Sequence, residues 1–282
     1  MSTSNQKITK EMLESIAKTF CVAHQGDDDA RLAQALVYNA GRLAWRMREA
    51  GISTKQKTSV SDVVTEADEA AEFLVSHVLE TLRPDDGILG EEGSSHASAS
   101  GKTWVIDPVD GTYNFASGSD YWCSALALCT GDPSQPDEVI LGAVHRPAMG
   151  YTWFGGPQFP TTRDGKKVAG ITDAEAGQIC LASYIHPTWV ANDELMGHWR
   201  RVTELFATVR MLGAGSVDLA SVADGKLGCW MQHSVKDWDW LPGKALVEAA
   251  GGVTAEVPAG GVVWKIAGAP TAVEQLKEAL NR

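Results

Sequence analysis

Cysteine is scarce in this chain and odd in number: Cys21, Cys123, Cys129, Cys180 and Cys229 are scattered over 282 residues. No two of them have metal-knuckle spacing, and five thiols build no disulfide framework. A stapled secreted scaffold and a zinc module are therefore set aside in favour of buried thiols in a reducing compartment. Long apolar runs are missing too, so no segment is expected to span a bilayer. The opening stretch MSTSNQKITKEM has no apolar signal core, and the expected location is cytoplasmic. Positive charge is in short supply: 24 Lys and Arg against 36 Asp and Glu leave a formal net charge of −12. That balance disfavours a nucleic-acid polymer or an anionic membrane as partner. An anionic small molecule stays open, because carboxylates that hold divalent cations make a site that attracts phosphate. Internal repeats and low-complexity tracts are absent.

What is present is enough apolar residue, 44%, to bury a substantial core in one large domain or two that share an interface. Apolar spacing predicts helices over 9–20, 29–51 and 65–86, with Gly51 stopping the second, Thr65 capping the third and Pro84 ending it. A strand at 87–90 and a polar loop at 93–103 follow. Apolar strands are predicted at 104–106, 122–131, 138–148 and 150–156, the middle two antiparallel. From about residue 170 the rhythm changes. Strands at 178–185, 209–213, 227–232 and 262–268 alternate with helices at 193–208, 216–225, 241–252 and 271–281. The expected fold class is mixed α/β: an α+β half over residues 1–170 carries the metal-binding motifs, and an α/β half over 171–282 completes a cleft.

Four separate segments place acids at predicted strand ends or helix starts: Asp68 in TEAD, Glu91-Glu92 in GEEG, Asp107 and Asp110 in WVIDPVDGTYNF, and Asp239 in DWDW. Taken singly, each acid is an ordinary cap or turn residue. Converging on one cleft, they would repel one another and resist burial unless cations joined them. Oxygen ligands without His or Cys company suit Mg²⁺ or Mn²⁺ rather than Zn²⁺. Gly111 and Thr112 then fall where free backbone N–H groups can face an anion. Carboxylate-held cations beside a phosphate-binding turn describe a phosphoryl-transfer site.

GEE, followed by WVIDPVDGTYNF and then DWDWLPGKALVEAAGG, resembles the inositol monophosphatase family of Mg²⁺-dependent, lithium-sensitive phosphatases. The first signature of that family, D-P-hydrophobic-D-G-T-x-N-F, is matched without exception. In the second, Trp238-Asp239 fits, while LPG and EAAGG depart from the usual small-residue run. The resemblance implies a layered αβαβα sandwich, commonly a homodimer, with two or three Mg²⁺ ions. It implies Glu91, Asp107 and the Val109 carbonyl as ligands of the first ion, and Asp107, Asp110 and Asp239 as ligands of the second. Glu91 also reaches a weaker third. Asp68 and Thr112 would orient and deprotonate the attacking water, and Gly111 and Thr112 would bind phosphate through backbone N–H groups.

Specificity is read from fewer residues. Family members that hydrolyse inositol phosphates carry an acid seven residues before the W-D aspartate, and here that residue is Gln232. Glutamine hydrogen-bonds hydroxyls but offers no charge to a cation, which ranks a neutral polyol phosphate such as inositol 1-phosphate above histidinol phosphate. Gly213 and Gly215 in GAGS would admit a close approach of backbone to substrate. Ser183 in LASY aligns with a hydroxyl contact of the family. Lys55 and Lys57 are expected to be solvated, His145-Arg146 to be a surface feature, and Trp238 and Trp240 to pack around Asp239, with Trp240 narrowing the pocket. Relatives acting on fructose 1,6-bisphosphate, histidinol phosphate or a 3′-phosphonucleotide are the alternatives. So is a non-catalytic metal- and phosphate-binding regulator, although the presence of both Asp68 and Thr112 argues against a retired site.

Overall fold

The computed structural model describes residues 8–51, 54–56 and 63–282. Helices α1 (Lys10–His24) and α2 (Asp29–Ala50) start at oxygen-bearing caps. Thr9 accepts the N–H of Met12 at 3.3 Å, and Asp28 accepts that of Arg31 at 2.8 Å, each satisfying a first-turn donor. Gly51 closes α2 at φ 93°, a conformation that favours glycine. A two-stranded antiparallel ribbon, β1 (Thr54–Gln56) and β2 (Val63–Thr65), leads into α3 (Glu66–Leu82). Lys57 and the side chain of Lys55 lie outside the described residues.

Next come β3 (Gly87–Gly90), β4 (Ser95–His96), β5 (Lys102–Asp110), the short helix α4 (Thr112–Ala116), β6 (Cys123–Asp132), β7 (Gln135–Arg146), β8 (Tyr151–Gly156), β9 (Phe159–Arg163) and β10 (Lys166–Lys167). Their strands form one sheet in the order β10-β9-β8-β7-β6-β5-β3-β4. It is antiparallel except where β3 pairs with β5. A second sheet follows, built from β11 (Cys180–Ser183), β12 (Thr208–Arg210), β13 (Cys229–His233), β14 (Val253–Ala259) and β15 (Val262–Gly268). Between these run α5 (Asp193–Thr203), α6 (Gly215–Ala223) and α7 (Asp237–Ala249), with α8 (Pro270–Leu280) last. The strand order is β12-β11-β13-β15-β14.

Alternating side chains sort the layers. On β5 and β6, Trp104, Ile106, Leu126 and Leu128 pack beneath α1, α2 and α3. Their neighbours Val105, Ala125 and Ala127 face α6 and α7 and share a core with Ala182, Trp230 and Ala267 of the second sheet. Leu181, Met231 and Ile266 point the other way, under α5 and α8. Helices, sheet, helices, sheet, helices: the layered αβαβα sandwich is what the resemblance implies.

Three differences from the sequence reading matter. The second half is not a plain strand–helix alternation, because β15 lies antiparallel between β13 and β14, and β14 was unforeseen. Helix α7 begins at Asp237 rather than Leu241 and carries Pro242 inside it. The proline removes one intrahelical donor, but Trp240, Leu241 and Leu246 are fully buried on this helix, and that packing holds the early turn. His145, expected at the surface, is 1% exposed, within 2.9 Å of the Thr152 hydroxyl, with burial pushing its pKa down to about 4.

Candidate active site

Strand β5 carries Asp107 and Asp110 across a slip in register. Between them its pairing with β6 shifts, and Pro108 sits within the slip, where a missing N–H interrupts no regular ladder. Helix α7 brings Asp239 to the same point in its first turn. One carboxylate oxygen from each of Asp107, Asp110 and Asp239 lies within 4.8 Å of the others. Asp107 is pushed well above the ordinary carboxylate range by burial first, then by the charges of Glu91, Asp110 and Asp239. Asp110 rises to about 7 through burial and the Asp239 charge, against the opposing pull of backbone N–H groups of Ser216 and Gly215. Asp239 is also raised, again by burial above all.

The donor set fits hard divalent cations. Asp107 Oδ1 accepts the Val109 N–H at 3.1 Å, while the buried Oδ2 has no hydrogen-bond donor. A buried carboxylate oxygen left in that state beside two other carboxylates is costly without a cation. No His or Cys belongs to the cluster among the described residues, which suits Mg²⁺ or Mn²⁺. The nearest thiol, Cys123, lies 3.8 Å from Asp110 Oδ2, and burial holds it well above the usual thiol range. It is no nucleophile.

Glu91 stands at the end of β3, its backbone N–H donating to the Ile106 carbonyl at 3.2 Å. A residue missed in the sequence organises this turn. Glu72, on α3 and 2% exposed, accepts the N–H groups of Glu92 and Ser94, both at 2.8 Å. Gly90 makes room for it, since a Cβ there would lie 2.5 Å from the Glu72 carboxyl carbon. In the sequence Glu72 is one acid among several in an amphipathic helix, and no local signal marks it.

Asp68 is fully buried. It accepts the N–H of Thr65 at 3.1 Å and the Thr65 hydroxyl through Oδ2, and the Thr112 hydroxyl lies 3.1 Å from Oδ1. The Thr112 hydroxyl is also 2.9 Å from the Val109 carbonyl. Thr112 has one proton and Val109 O can only accept, so protonation of Asp68 decides which way this chain of bonds runs. Burial raises Asp68 to about 6, helped by the Glu92 charge and opposed by the bonds from Thr65 and Thr112.

Gly111 caps α4 in the left-handed region at φ 89°. A Cβ there would lie 3.0 Å from that of Ala214, so the motif and the GAGS loop are in direct contact. Asn114 joins them: its Nδ2 reaches the carbonyls of Tyr121 at 2.9 Å and Leu212 at 2.8 Å. Gly213, at φ 83°, packs beside Asn114. Gly215 has ordinary space around its Cα, and its N–H and that of Ser216 serve the Asp110 carboxylate.

Sheet alternation separates the two residues proposed to touch substrate. Gln232 lies on the face of β13 toward α7, half-buried and opposite Lys265 of β15. Ser183 lies on the opposite face, fully buried, its Oγ accepting the indole N–H of Trp199 on α5 at 3.0 Å. In this arrangement a substrate does not reach Ser183. Trp240 is 2% exposed and stacks on Trp230 at 5.7 Å, so it packs in the core, while Trp238 is half-buried.

Fold and site together define a phosphate-ester hydrolase of the αβαβα type. The chain belongs to the inositol monophosphatase family, whose model matches residues 27–281. It is 30% identical over 260 residues to the inositol-1-monophosphatase of Mycobacterium leprae, covering 82% of each chain. It is 27% identical over 207 residues to a fructose-1,6-bisphosphatase/inositol-1-monophosphatase of Thermotoga maritima, covering 72% of this chain and 75% of that protein. The crystal structure of the extragenic suppressor protein SuhB from Bartonella henselae superposes with a TM-score of 0.79 at 21% identity, over 89% of this chain and 98% of that one. Among the described residues no helix is long and apolar enough to cross a membrane.

Proposed function

We propose that the protein is a Mg²⁺-dependent phosphatase of small phosphomonoesters, with inositol 1-phosphate as the best-supported substrate. The observation that carries the proposal is the convergence of Asp107, Asp110 and Asp239, with the Asp107 Oδ2 buried and undonated. Asp107, Glu91 and the Val109 carbonyl would hold one ion; Asp107, Asp110 and Asp239 a second; Glu91 a weaker third. When bound, the ions lower the pKa of an attacking water and neutralise charge on phosphate and leaving oxygen. Asp68 would accept a proton from that water, directly or through the Thr112 hydroxyl, becoming neutral, and would return to the carboxylate by releasing that proton to solvent, while the leaving oxygen takes a proton from solvent as the ester bond breaks. The single Thr112 proton goes either to the Asp68 carboxylate or to the Val109 carbonyl, which lie 3.1 and 2.9 Å from its hydroxyl. The backbone N–H groups of Gly111 and Thr112 orient the phosphate, and Gln232 offers both a donor and an acceptor to substrate hydroxyls. The two halves divide at about residue 170, the first carrying β5 and the second supplying Asp239 and Gln232. A homodimer belongs to the same proposal and rests on the family resemblance, and a cytoplasmic location rests on the scattered thiols and the lack of an apolar signal core; light scattering on the purified chain tests the dimer.

A second substrate class, a sugar bisphosphate, is favoured by one observation. The substrate-side position that carries an acid in inositol-hydrolysing members is Gln232 here, which sets no carboxylate against a second phosphate; its cross-strand neighbour Lys265 is buried and faces Asp237 and Glu256. Phosphate release from inositol 1-phosphate, fructose 1,6-bisphosphate, histidinol phosphate and adenosine 3′,5′-bisphosphate, by the wild type and by Gln232→Glu, tests both. The substitution is expected to change the kcat/KM ratios between substrates and leave Mg²⁺ dependence intact. Unchanged ratios would remove Gln232 from substrate selection.

A further inference from the structure

Beneath the site lies a small core separate from the three large ones: Ala44 of α2, Ala67 beside Asp68, Val109, Phe115 of α4 and Trp122. Three segments of the proposed machinery stand on it, because Ala67, Val109 and Phe115 belong respectively to TEAD, DPVDGT and the helix that Thr112 opens. One polar side chain closes this core. The Arg48 guanidinium, on a side chain 14% exposed, lies 4.6 Å from the Trp45 ring centre, 5.3 Å from that of Phe115 and 5.6 Å from that of Trp122. Its Nη1 donates to the Ser119 carbonyl at 2.7 Å and its Nη2 to Asp120 Oδ1 at 2.9 Å. Phe115 and Trp122 meet edge to face at 4.7 Å, and Trp45 stacks on Trp122 at 6.3 Å.

Helix α4 has only five residues, too few to hold its own direction in isolation. Its C-terminal exit, residues 117–121, is held by Asn114, whose carbonyl accepts the Ser119 N–H and whose Nδ2 reaches the Tyr121 carbonyl, by Arg146 Nε on the Asp120 carbonyl at 3.3 Å, and by Arg48. Arg48 binds that exit at two points and the aromatic floor at three. A planar fork with a delocalised charge can do both at once, and an ammonium cannot.

We propose that Arg48 is a positioning residue for the reaction: it fixes α4 against α2, and thereby the Thr112 hydroxyl against Asp68 and the Val109 carbonyl. The Asp120 arm is a minor part, since that carboxylate is 62% exposed and such pairs contribute little. The Ser119 carbonyl and the aromatic box carry the role. The proposal rests on the assignment of Asp68 and Thr112 as the water-orienting pair.

The test compares the wild type with Arg48→Met, Arg48→Lys and Asp120→Ala as full chains. Phosphate release from inositol 1-phosphate is measured at saturating Mg²⁺, Mn²⁺ binding is titrated without substrate, and thermal midpoints fix an assay temperature at which every variant is folded. Misplacing a reacting group by a fraction of an ångström costs rate rather than binding, so Arg48→Met is expected to lose about tenfold or more in kcat with KM within about twofold. Arg48→Lys, which restores charge without the fork, is expected to stay near the Met variant. Mn²⁺ binding by the aspartates is expected to hold within about threefold, because Arg48 touches none of them.

Wild-type kcat in folded Arg48→Met, or full rescue by lysine, would overturn the proposal. Should Arg48→Met fail to fold, Arg48→Lys and Asp120→Ala decide it. A kcat loss of about tenfold in the lysine variant and of about twofold in Asp120→Ala, with KM unchanged, is the expected pair, and wild-type kcat in both overturns the role. If the wild type hydrolyses no phosphomonoester with Mg²⁺, the assignment of the site itself has failed, which is a different result from an active wild type matched by its variants.

Discussion

Asp110 accepts the backbone N–H of Ser216, a residue 106 positions further along the chain. That bond is one of several that join the end of β5 and the turn after it to the second half of the sandwich, beside the Gly215 N–H on the same carboxylate and Asn114 on the Leu212 carbonyl. It also opposes the upward pKa shift that burial and Asp239 impose on Asp110. Asp110→Asn keeps an oxygen that can accept the same N–H but loses the charge. Turnover is expected to fall about a hundredfold or more, because loss even of groups that merely support metal ligands costs 10–100-fold. The thermal midpoint without metal is expected to stay level or rise, since an uncompensated buried charge is removed. An active, Mg²⁺-responsive Asp110→Asn enzyme would contradict the metal assignment.

Stability without metal should depend on pH in an unusual sense. Asp68 near 6, Asp110 near 7 and Asp218 near 7 are all raised, mainly by burial. Between pH 4 and 7 the unfolded chain has released these protons while the folded chain still holds them, so stability falls as pH rises through that window. His145, lowered to about 4, acts in the opposite sense, but one imidazole does not outweigh three carboxyls raised this far. The thermal midpoint of metal-free protein is expected to fall from pH 5 to pH 7.5, and saturating Mg²⁺ to reverse the loss at the upper end. A metal-free midpoint that rises steadily to pH 7.5 would contradict the burial of these acids.

Glu72→Gln tests the turn that presents Glu91. Both carboxylate oxygens of Glu72 accept backbone N–H groups, and a glutamine NH₂ would face one of those donors with another. The expected cost is about 1–3 kcal/mol of stability from the unsatisfied pair, read by urea unfolding, together with a raised Mg²⁺ requirement. A variant with wild-type stability and Mg²⁺ response would show that the turn stands without Glu72.

Ser183→Ala separates family alignment from geometry. The hydroxyl is buried against Trp199, so the expected effect is about 1 kcal/mol of stability with KM unchanged for every substrate. A large rise in KM would place Ser183 at the substrate after all.

The mixed α/β class was legible in local strand and helix periodicity, while the layered sandwich and the roles of the β5 aspartates came through the resemblance carried by the unbroken D-P-x-D-G-T-x-N-F signature, which is local. What was not legible is set by long-range contact. Strand β5 runs to Asp110 instead of stopping at Ile106, because the slip around Pro108 lets the chain stay paired with β6 through a proline. Helix α7 starts four residues early because packing outweighs the donor that Pro242 lacks. Strand β14 joins the sheet only through β15, and its sequence VTAEVPA carries a proline that argues against a strand. Glu72, Asn114 and Arg48 act through partners 20 to 98 residues away, and no short motif records such pairs.

The most direct test of the central claim is phosphate release from inositol 1-phosphate as Mg²⁺ is titrated into metal-free protein, with and without Li⁺. A rate that is negligible without Mg²⁺, rises with it and is suppressed by Li⁺ is the predicted result. Hydrolysis that is indifferent to Mg²⁺ removal would contradict the account of the three aspartates.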